Sequence, residues 1–507
     1  MSKHHRHVSI AGPSVLTVLR QTLRMEKKWT RVGVRFLSSS CKSVANKPVT
    51  GKILLEDAKR LFAAATTGEL ARSLAIFKVC AVPPVVANAS RMYKLATVTV
   101  GHSLPDWVIR ASFFKHFCGG ESEHDLKPVM DKLGSCGIGA ILDYAVEADV
   151  NAAPSGDRAT QLDIFNESGC DANADSLVAS IDAASAAASR TGREPFVACK
   201  FTGIGQPQLL ERIGTILSSL DYAEWVEGLT EECSPWMHPA YSHLADAGVF
   251  IPLNLQEREQ YARMIARANK LAEYAAEKGV KLLVDAEQTY LQLAIDHLSL
   301  LLMCRHNKEI PIVFNTYQCY LKDALERVKR DMDRADRQGF VFAAKTVRGA
   351  YMVQERRRAK ERGYPNPVHD SKEETDACYD AVVAMIMSRK STVRNEVRSP
   401  NQARQPAVMI ASHNEESVIK AVHCMKQLNL TPKDGIYFAQ LQGMCDHVSF
   451  ALGQEGYAVF KYVPYGPVKE VMPYLLRRLE ENSDIMGAVG KQRRMIWAEL
   501  KRRVFSV

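Results

Sequence analysis

Eight short apolar runs after Gly137 constrain the fold more than any other feature of this sequence. The runs are nearly continuous in hydrophobic residues that favour strands, as expected of parallel strands buried on both faces. Longer segments with helical periodicity separate most of them. Eight β–α units in series predict an α/β chain that closes into a (β/α)8, TIM-like barrel. The runs are Ala140–Tyr144, Phe196–Phe201, Lys281–Asp285, Ile312–Thr316, Val341–Val347, Ala407–Ser412, Ile436–Leu441 and Ala458–Val463.

Helical segments flank and interrupt the predicted barrel. Residues 54–130 have helical periodicity, and Pro83-Pro84 is expected to end one of the helices there. The segment of about residues 203–280, between the second and third runs, is long and mostly helical, and we interpret it as an insertion. The predicted organisation is an N-terminal helical region at 38–133, a barrel at 134–482 and a C-terminal basic amphipathic helix at 483–507.

The first 37 residues carry most of the net charge of the chain. They contain eight Lys and Arg residues and one acid, Glu26, so they account for seven of the nine net positive charges. A segment rich in Arg and hydroxyl residues and nearly free of acids is typical of a mitochondrial transit peptide, although a disordered basic tail is the alternative. The rest of the chain is close to neutral, which disfavours a nucleic-acid-binding surface.

The C-terminal tail combines apolar and basic residues. Gly490–Val507 interleaves Ile496, Trp497 and other apolar side chains with six Lys and Arg residues. This pattern predicts a basic amphipathic helix that lies on a membrane surface. The alternative is a helix packed on the barrel with a solvated basic face.

Several common sites lack their sequence signatures. The twelve cysteines include no Cys-x-x-Cys pair, and the histidines form no His-Glu-x-x-His pattern, so neither a metal site nor a disulfide framework is supported. No Gly-x-Gly-x-x-Gly follows a predicted strand, which argues against a Rossmann dinucleotide site. No uninterrupted run of eighteen apolar residues is present, so a transmembrane helix is not expected.

Polar residues gather where the apolar runs end. Active sites of (β/α)8 barrels lie at the carboxyl ends of the strands, so these residues are expected to share one mouth. A single polar strand end commonly just meets solvent, but here seven of the eight runs end in this way. The residues are Asp143, Lys200, Asp285-Ala-Glu287, Asn315-Thr-Tyr-Gln318, Lys345-Thr-Val-Arg-Gly-Ala-Tyr351, Ser412-His-Asn414 and Gln440-Leu-Gln-Gly-Met444.

A helix predicted after the last run has two chemically different faces. Tyr474, Arg477, Arg478 and Glu481 are spaced three or four residues apart and share one face. Met472, Leu475, Leu476 and Leu479 line roughly the opposite face, which can pack against the protein. Paired guanidinium groups match a carboxylate bidentately, so the polar face is a candidate clamp for a substrate carboxylate. An ordinary solvated helix is the alternative.

Taken together, these motifs resemble the proline dehydrogenase family, in its monofunctional mitochondrial branch. The resemblance covers roughly residues 54–503 and implies a distorted (β/α)8 barrel with non-covalent FAD. It further implies oxidation of L-proline to 1-pyrroline-5-carboxylate, with electrons passed to ubiquinone on the matrix side of the mitochondrial inner membrane, which the enzyme contacts peripherally. The motifs are Val284-Asp-Ala-Glu-Gln-Thr-Tyr290, Phe314-Asn-Thr-Tyr-Gln-Cys-Tyr-Leu-Lys-Asp323, Val347-Arg-Gly-Ala-Tyr351, Ala411-Ser-His-Asn414, Gly443-Met-Cys-Asp446 and Tyr474-Leu-Leu-Arg-Arg-Leu-Glu-Glu481.

The resemblance also implies roles for individual residues. Lys200, Arg477 and Arg478 are expected to hold the substrate carboxylate, and Asp285 is expected to hold Arg477 in place. The side chains expected to enclose the apolar ring carbons of the substrate are Tyr351, Leu441, Tyr462 and Tyr474. Those expected to contact the flavin are Asn315, Gln318, Lys345, Val347, Gly349, Ala350, His413, Asn414 and Glu481.

Two other functions remain open from the sequence. Hydroxyproline dehydrogenase is a close relative in which a small Ser tends to occupy the position of Tyr462, so a large Tyr favours unsubstituted proline. Met444-Cys-Asp-His-Val-Ser449 resembles the hydroxyproline branch slightly more. An inactive barrel that acts as a mitochondrial binding protein is the non-enzymatic alternative, and the full set of polar strand ends argues against it.

Overall fold

The computed structural model describes Leu55 and residues 57–145, 166–219, 252–396, 404–484 and 486–505. All of these residues belong to one compact unit, Gly51–Val507. The predicted transit peptide at 1–37 and the middle of the predicted insertion, 220–251, lie outside the described residues.

Eight parallel strands form a closed barrel in which β8 pairs with β1. This confirms the predicted (β/α)8 architecture. The strand bounds differ from the predicted runs by at most two residues at either end, and those of β7 are the same. The strands are β1 (Ile138–Tyr144), β2 (Phe196–Cys199), β3 (Lys281–Val284), β4 (Val313–Gln318), β5 (Ala343–Val347), β6 (Ala407–Ala411), β7 (Ile436–Leu441) and β8 (Val459–Tyr465).

Helices precede, surround and follow the strands. Pro83 and Pro84 occupy the first turn of α3, where a missing backbone N–H is tolerated, and α2 ends earlier, at Cys80. The helices are α1 (Ala58–Leu61), α2 (Thr67–Cys80), α3 (Pro83–Val100), α4 (Ser103–Ile109, which continues through a π-helical turn at Arg110–Phe114), α5 (Glu123–Ser135), α6 (Glu167–Thr191), α7 (Phe201–Ile204), α8 (Pro207–Ser218), α9 (Leu255–Lys278), α10 (Thr289–His306), α11 (Ala324–Gln338), α12 (Met352–Arg362), α13 (Lys372–Glu396), α14 (Glu415–Gln427), α15 (Asp446–Gln454), α16 (Val468–Asp484) and α17 (Met486–Phe505).

Aromatic side chains fill the lower part of the barrel interior. Phe196, Phe314, Tyr437 and Phe460 meet edge to face, with ring centroids 4.8–6.2 Å apart. Because side chains alternate along a strand, the residue two or four positions further on faces inward as well, near the carboxyl end. The packed core therefore closes one end of the barrel and leaves polar side chains at the other.

The C-terminal helix α17 packs on the N-terminal helices α1 and α2. Met495, Ile496 and Leu500 are buried. Arg503 donates hydrogen bonds of 2.7 Å to the carbonyl oxygens of Phe62 and Ala65. These three side chains are thus covered by protein, as in the packing alternative, but the helix lies mainly on α1 and α2 instead of the barrel, and its apolar residues Trp497 and Val504 are exposed.

No single described helix is long and apolar enough to cross a membrane. The consecutive helices α2 and α3 meet the length and composition requirements together, but they are bent by 96° with respect to each other.

Candidate active site

Asp285, directly after β3, is the centre of a charged cluster at the mouth of the barrel. Its carboxylate contacts the ammonium group of Lys345 on β5. Tyr462 on β8 donates a 2.6 Å hydrogen bond to Asp285 Oδ2, and Lys200 Nζ lies 3.5 Å from the same oxygen. Burial alone would raise the pKa of Asp285, but the two lysines outweigh it and hold the pKa below its usual value. The group is therefore a carboxylate at neutral pH.

The position of these residues follows from strand alternation. Leu283 and Phe460 point into the barrel core, so Asp285 and Tyr462, two positions later, point into the mouth. The same step from Ala343 leads to Lys345. Lys345 Nζ lies 5.3 Å from the centroid of the Tyr462 ring, a distance that allows a cation–π interaction.

Lys200 also contacts Asp143, a polar strand-end residue for which no partner was predicted. Its Nζ donates a 2.9 Å hydrogen bond to Oδ1 of Asp143, a buried residue of β1. The signal was available, since Asp143 is two positions after the inward-facing Ile141. Lys200 is thus fixed between Asp143 and Asp285 on neighbouring parts of the rim.

The helix α16 carries the two arginines across the mouth. It begins three residues after β8, and Arg477 Nη1 donates a 3.4 Å hydrogen bond to the hydroxyl of Tyr351, in the loop after β5. Because β6 and β7 separate those two strands in the barrel, this contact places α16 over the carboxyl ends of the strands. The predicted clamp is therefore on the side of the helix that faces the site.

Arg478 is buried and contacts two residues of its own helix. It forms an ion pair with Glu481, and its guanidinium carbon lies 4.6 Å from the centroid of the Tyr474 ring. Burial raises the pKa of Tyr474, whose hydroxyl is itself buried, so the phenol stays neutral. Glu481 holds Arg478 in place in this arrangement.

One predicted contact is wrong. Asp285 was expected to hold Arg477, but Asp285 contacts Lys345, Tyr462 and Lys200, whereas Arg477 reaches Tyr351. The physical reason is the height of each side chain along the barrel axis. Asp285 points into the mouth at the level of the strand ends, where the ammonium groups of two lysines are already within reach. Arg477 lies higher, on a helix.

Of the two residues predicted to contact a cofactor from β4, only Gln318 has the right direction. It follows the inward-facing Phe314 by four positions, and its Nε2 donates a 2.7 Å hydrogen bond to the carbonyl of Glu287. Asn315 has the opposite alternation and donates a 2.9 Å hydrogen bond to Asp296 of α10. Asn315 therefore supports the barrel wall in this structure, and its expected contact with the flavin stays a prediction.

The residues after β6 also have different roles. His413 Nε2 accepts a 3.0 Å hydrogen bond from the backbone N–H of Leu441, so the two expected site residues are neighbours. Desolvation and nearby cations lower the pKa of His413 to about 3, which keeps the imidazole neutral. Asn414 instead caps α14 by accepting hydrogen bonds from the N–H groups of Glu416 and Ser417, so its predicted site contact is not supported.

The loop after β5 makes a close backbone approach. Gly349 has a φ of 126°, and a Cβ atom there would lie 1.6 Å from Cε1 of the buried Tyr320. Only glycine fits this conformation. Val347 is half-buried and Ala350 is exposed beside it, so these two residues line the loop that carries Tyr351.

Glu287, one of the polar residues expected at the mouth, is a buried acid for which no specific role was predicted. Its carboxylate accepts a 2.8 Å hydrogen bond from the hydroxyl of Thr202, in α7. Burial raises its pKa to about 7. Among the described residues, no cluster of three or more His, Cys, Asp and Glu side chains could hold a metal ion.

The proline dehydrogenase family model matches residues 130–491 of the sequence, which span the barrel and α16. The chain belongs to the proline dehydrogenase family. It is 32% identical to proline dehydrogenase 1, mitochondrial, of Homo sapiens, over 91% of both chains. It is also 32% identical to hydroxyproline dehydrogenase of Xenopus laevis, over 88% of this chain and 89% of the relative.

A solved structure of proline utilization A from Bdellovibrio bacteriovorus has the same fold. The TM-score is 0.57 at 18% sequence identity, and the match covers 92% of this chain. This chain spans 41% of that longer protein. This likeness shows that a chain of distant sequence shares the fold.

Proposed function

We propose that this chain is a flavin-dependent proline dehydrogenase that oxidises L-proline to 1-pyrroline-5-carboxylate and passes the electrons to ubiquinone. The observation that carries the proposal is the cluster around Asp285, which joins two lysines and a tyrosine at the barrel mouth beneath the arginines of α16. Membership of the family and the resemblance of the motifs support the same reaction.

The charges at the mouth suit a substrate carboxylate. Four cations, Lys200, Lys345, Arg477 and Arg478, lie at the mouth together with the carboxylates of Asp143, Asp285 and Glu481. We propose that Lys200 and the two arginines bind the carboxylate of proline, because cationic donors match it in charge and geometry.

The apolar part of proline requires a different surface. Tyr351, Leu441, Tyr462 and Tyr474 supply three aromatic rings and one aliphatic side chain around the same mouth, and we propose that they enclose the ring carbons and exclude water. Asp285 acts as a positioning residue, because its contacts fix the Tyr462 ring and the Lys345 ammonium group.

The side chains on the opposite part of the rim fit FAD. Lys345 offers a cation, Gln318 an amide, and His413 a neutral imidazole, which are suitable partners for the polar carbonyl and nitrogen edge of an isoalloxazine ring. FAD, when bound, supplies the hydride acceptor, so the protein has to bind the reactants, orient them and exclude water.

The choice between proline and hydroxyproline rests on Tyr462. Overall identity does not separate the two branches, since relatives of both kinds are 32% identical to this chain. The Tyr462 phenol is tied to Asp285 and is not free to move aside for a ring hydroxyl. A 4-hydroxyl group on the substrate would lose its water against this wall, so we propose unsubstituted proline as the substrate.

We further propose that the protein acts in the mitochondrion, at the matrix side of the inner membrane. The basic, acid-poor segment 1–37 and the mitochondrial relatives support this location. Import is expected to remove residues up to about Leu37. Mass spectrometry of the organellar protein tests this, and an intact Met1 terminus would refute it.

The reaction is tested by flavin spectroscopy. We expect the purified protein to be yellow and its flavin to bleach under anaerobic conditions on addition of L-proline, faster than with trans-4-hydroxyproline. Faster bleaching with hydroxyproline would identify the other branch. A protein that binds no flavin would favour the inactive barrel.

A further inference from the structure

The helix α3 is apolar, yet none of its eighteen residues is buried. Arg91 and Lys94 are its only charged residues. A helix with apolar residues round most of its circumference normally lies inside a protein or a membrane. Its exposed apolar residues continue into α4 and form what we call the α3–α4 surface, namely Met92, Leu95, Val98, Val100, Leu104 and Trp107.

An apolar groove of about 360 Å³ runs between these helices and α16. Val85, Ala89 and Met92 line it on the α3 side, and Leu475 and Leu479 line it on the α16 side. Exposed apolar patches of this kind on soluble proteins mark sites of interaction. The groove and the α3–α4 surface therefore require a partner of low polarity.

The margin of this surface has the composition of a membrane interface. Lys78, next to the groove-lining Val79, lies 5.9 Å from the ring centroid of Trp497, and Lys501 lies 5.2 Å from the same ring. Trp497 is itself exposed. Tryptophan and lysine at the edge of an apolar area are typical of protein segments that anchor in the headgroup region.

The charge on α3 also favours an anionic lipid surface over a second copy of this chain. Arg91 and Lys94 are exposed and no acid is present on the helix. Two copies meeting through α3 would bring like charges together, whereas anionic headgroups attract them.

The helix lies along a membrane and does not cross it. Its neighbour α2 buries Leu70, Leu74 and Phe77 in the protein core, so the bent pair α2–α3 cannot enter a bilayer as one unit. The α3 helix alone can insert its outward face to the depth of the headgroup boundary, as interfacial amphipathic helices do.

We propose that the α3–α4 surface docks this protein onto an anionic lipid bilayer, with α3 in the plane of the interface. The proposal deepens the membrane contact proposed above and rests on it, but it does not depend on the substrate. It assigns that contact to the N-terminal helical region, with the exposed Trp497 of α17 at its margin, whereas Met495, Ile496 and Leu500 of α17 are buried.

The test uses Trp107 as the reporter, with vesicles of phosphatidylcholine and phosphatidylglycerol that carry brominated acyl chains. We expect these vesicles to quench the tryptophan fluorescence of the full-length protein. The quenching should be smaller in W107F, because the contribution of Trp107 to it is absent. The double variant L95D/V98D should abolish the quenching of Trp107, because two carboxylates cannot enter the apolar region beneath the lipid headgroups. The matched control is L255D/I310D, which places two carboxylates at exposed apolar positions away from the α3–α4 surface. The exposure of the replaced side chains is similar, since Leu95 is 66% exposed and Ile310 is 62% exposed.

The basic leader is common to all of these proteins, so differences in quenching report the α3–α4 surface. The double variant R91Q/K94Q should bind anionic vesicles several-fold more weakly and with a smaller dependence on salt. Equal quenching of W107F and the unmodified protein, or of L95D/V98D and the unmodified protein, would overturn the proposal. So would an L95D/V98D variant that dissociates a dimer while lipid has no effect on Trp107. Flavin reduction by proline, measured without lipid on the same preparations, tests the proposed reaction separately.

Discussion

The phenol of Tyr462 and the carboxylate of Asp285 are joined by a 2.6 Å hydrogen bond between two strands that are not neighbours in the barrel. The bond spans the mouth from β8 to the end of β3, with β1 and β2 between them. It fixes the orientation of the aromatic ring from one end, while Lys345 lies against the ring face. The wall of the proposed proline pocket is therefore held by charge as well as by packing.

Replacing Tyr462 separates the roles of its ring and its hydroxyl. Tyr462→Phe keeps the ring and removes a hydrogen bond to a charged group, so catalytic efficiency with proline should fall about tenfold. Tyr462→Ser also removes the ring and should narrow the preference for proline over hydroxyproline, chiefly by weakening turnover of proline. Anaerobic flavin reduction with both substrates measures this. An unchanged ratio of the two rates in Tyr462→Ser would mean that the ring does not face C4 of the substrate.

The arginines of α16 should contribute mainly to substrate capture. Arg477→Met or Arg478→Met should weaken proline binding by about 2–4 kcal/mol, as expected when one member of a buried charge pair is lost. Arg357→Met, at an exposed position of α12, is the control and should behave like the unmodified protein. Proline titrations of the flavin spectrum report the affinity. Near-normal affinity in both α16 variants would exclude the clamp.

A double-mutant cycle can establish the true partner of Asp285. Asp285→Asn and Tyr462→Phe should couple by roughly 1–3 kcal/mol in transition-state stabilisation, because the first removes the negative charge that strengthens their hydrogen bond and the second removes its donor. Asp285→Asn and Arg477→Met share no direct contact and should be closer to additive. Strong coupling in the second pair alone would restore the interaction that the sequence suggested.

Glu287 should make the stability depend on pH. Its pKa in the folded protein is about 7, above the ordinary value of 4.5. The contribution of this shift to the free energy of unfolding is therefore fully present below pH 4.5 and is lost as the pH rises through 7. The loss amounts to roughly 3 kcal/mol from the size of the shift. Glu287→Gln keeps an acceptor for Thr202 and should remove this dependence, whereas Glu361→Gln on the surface should not. Denaturant unfolding from pH 5 to pH 8 tests the difference between the variants.

Gly349 should tolerate no side chain. Gly349→Ala would place a methyl group against the buried Tyr320 ring and should lower both thermal stability and flavin retention. Gly363→Ala is the matched control: its φ is also positive, at 71°, but no atom lies within 4 Å of the added carbon, so only about 1–2 kcal/mol of backbone strain is expected. Equal melting temperatures for the two variants would contradict this account.

The sequence predicted the barrel well because burial on both faces makes each strand a continuous apolar run. It also identified Lys200, Asp285, Lys345 and Tyr462 as members of one site. It could not give their pairing, since that depends on the height of each side chain above the strand ends. The outward direction of Asn315 was open to prediction, because it is out of phase with Lys345 on the neighbouring strand.

The exposed state of α3 lay beyond sequence reasoning for a different reason. An apolar helix with two charges resembles a core helix in sequence, and only the packing shows that none of its residues is fully buried, although it contacts α16. In the same way, the amphipathic pattern of α17 fits a membrane surface and a protein surface equally. In the fold, Met495, Ile496 and Leu500 are buried against protein, whereas Trp497 and Val504 are exposed.

The helix α16 contributes one face to the candidate site and another face to the apolar groove. Tyr474, Arg477 and Arg478 face the site, whereas Leu475 and Leu479, only one residue away from them, line the apolar groove. A helix moves as a rigid rod over such short distances. A displacement of its groove-lining face therefore displaces the guanidinium groups of Arg477 and Arg478 by the same amount. Substitutions in the groove are therefore expected to change substrate binding as well, and their effects should not be additive with those of substitutions in the pocket.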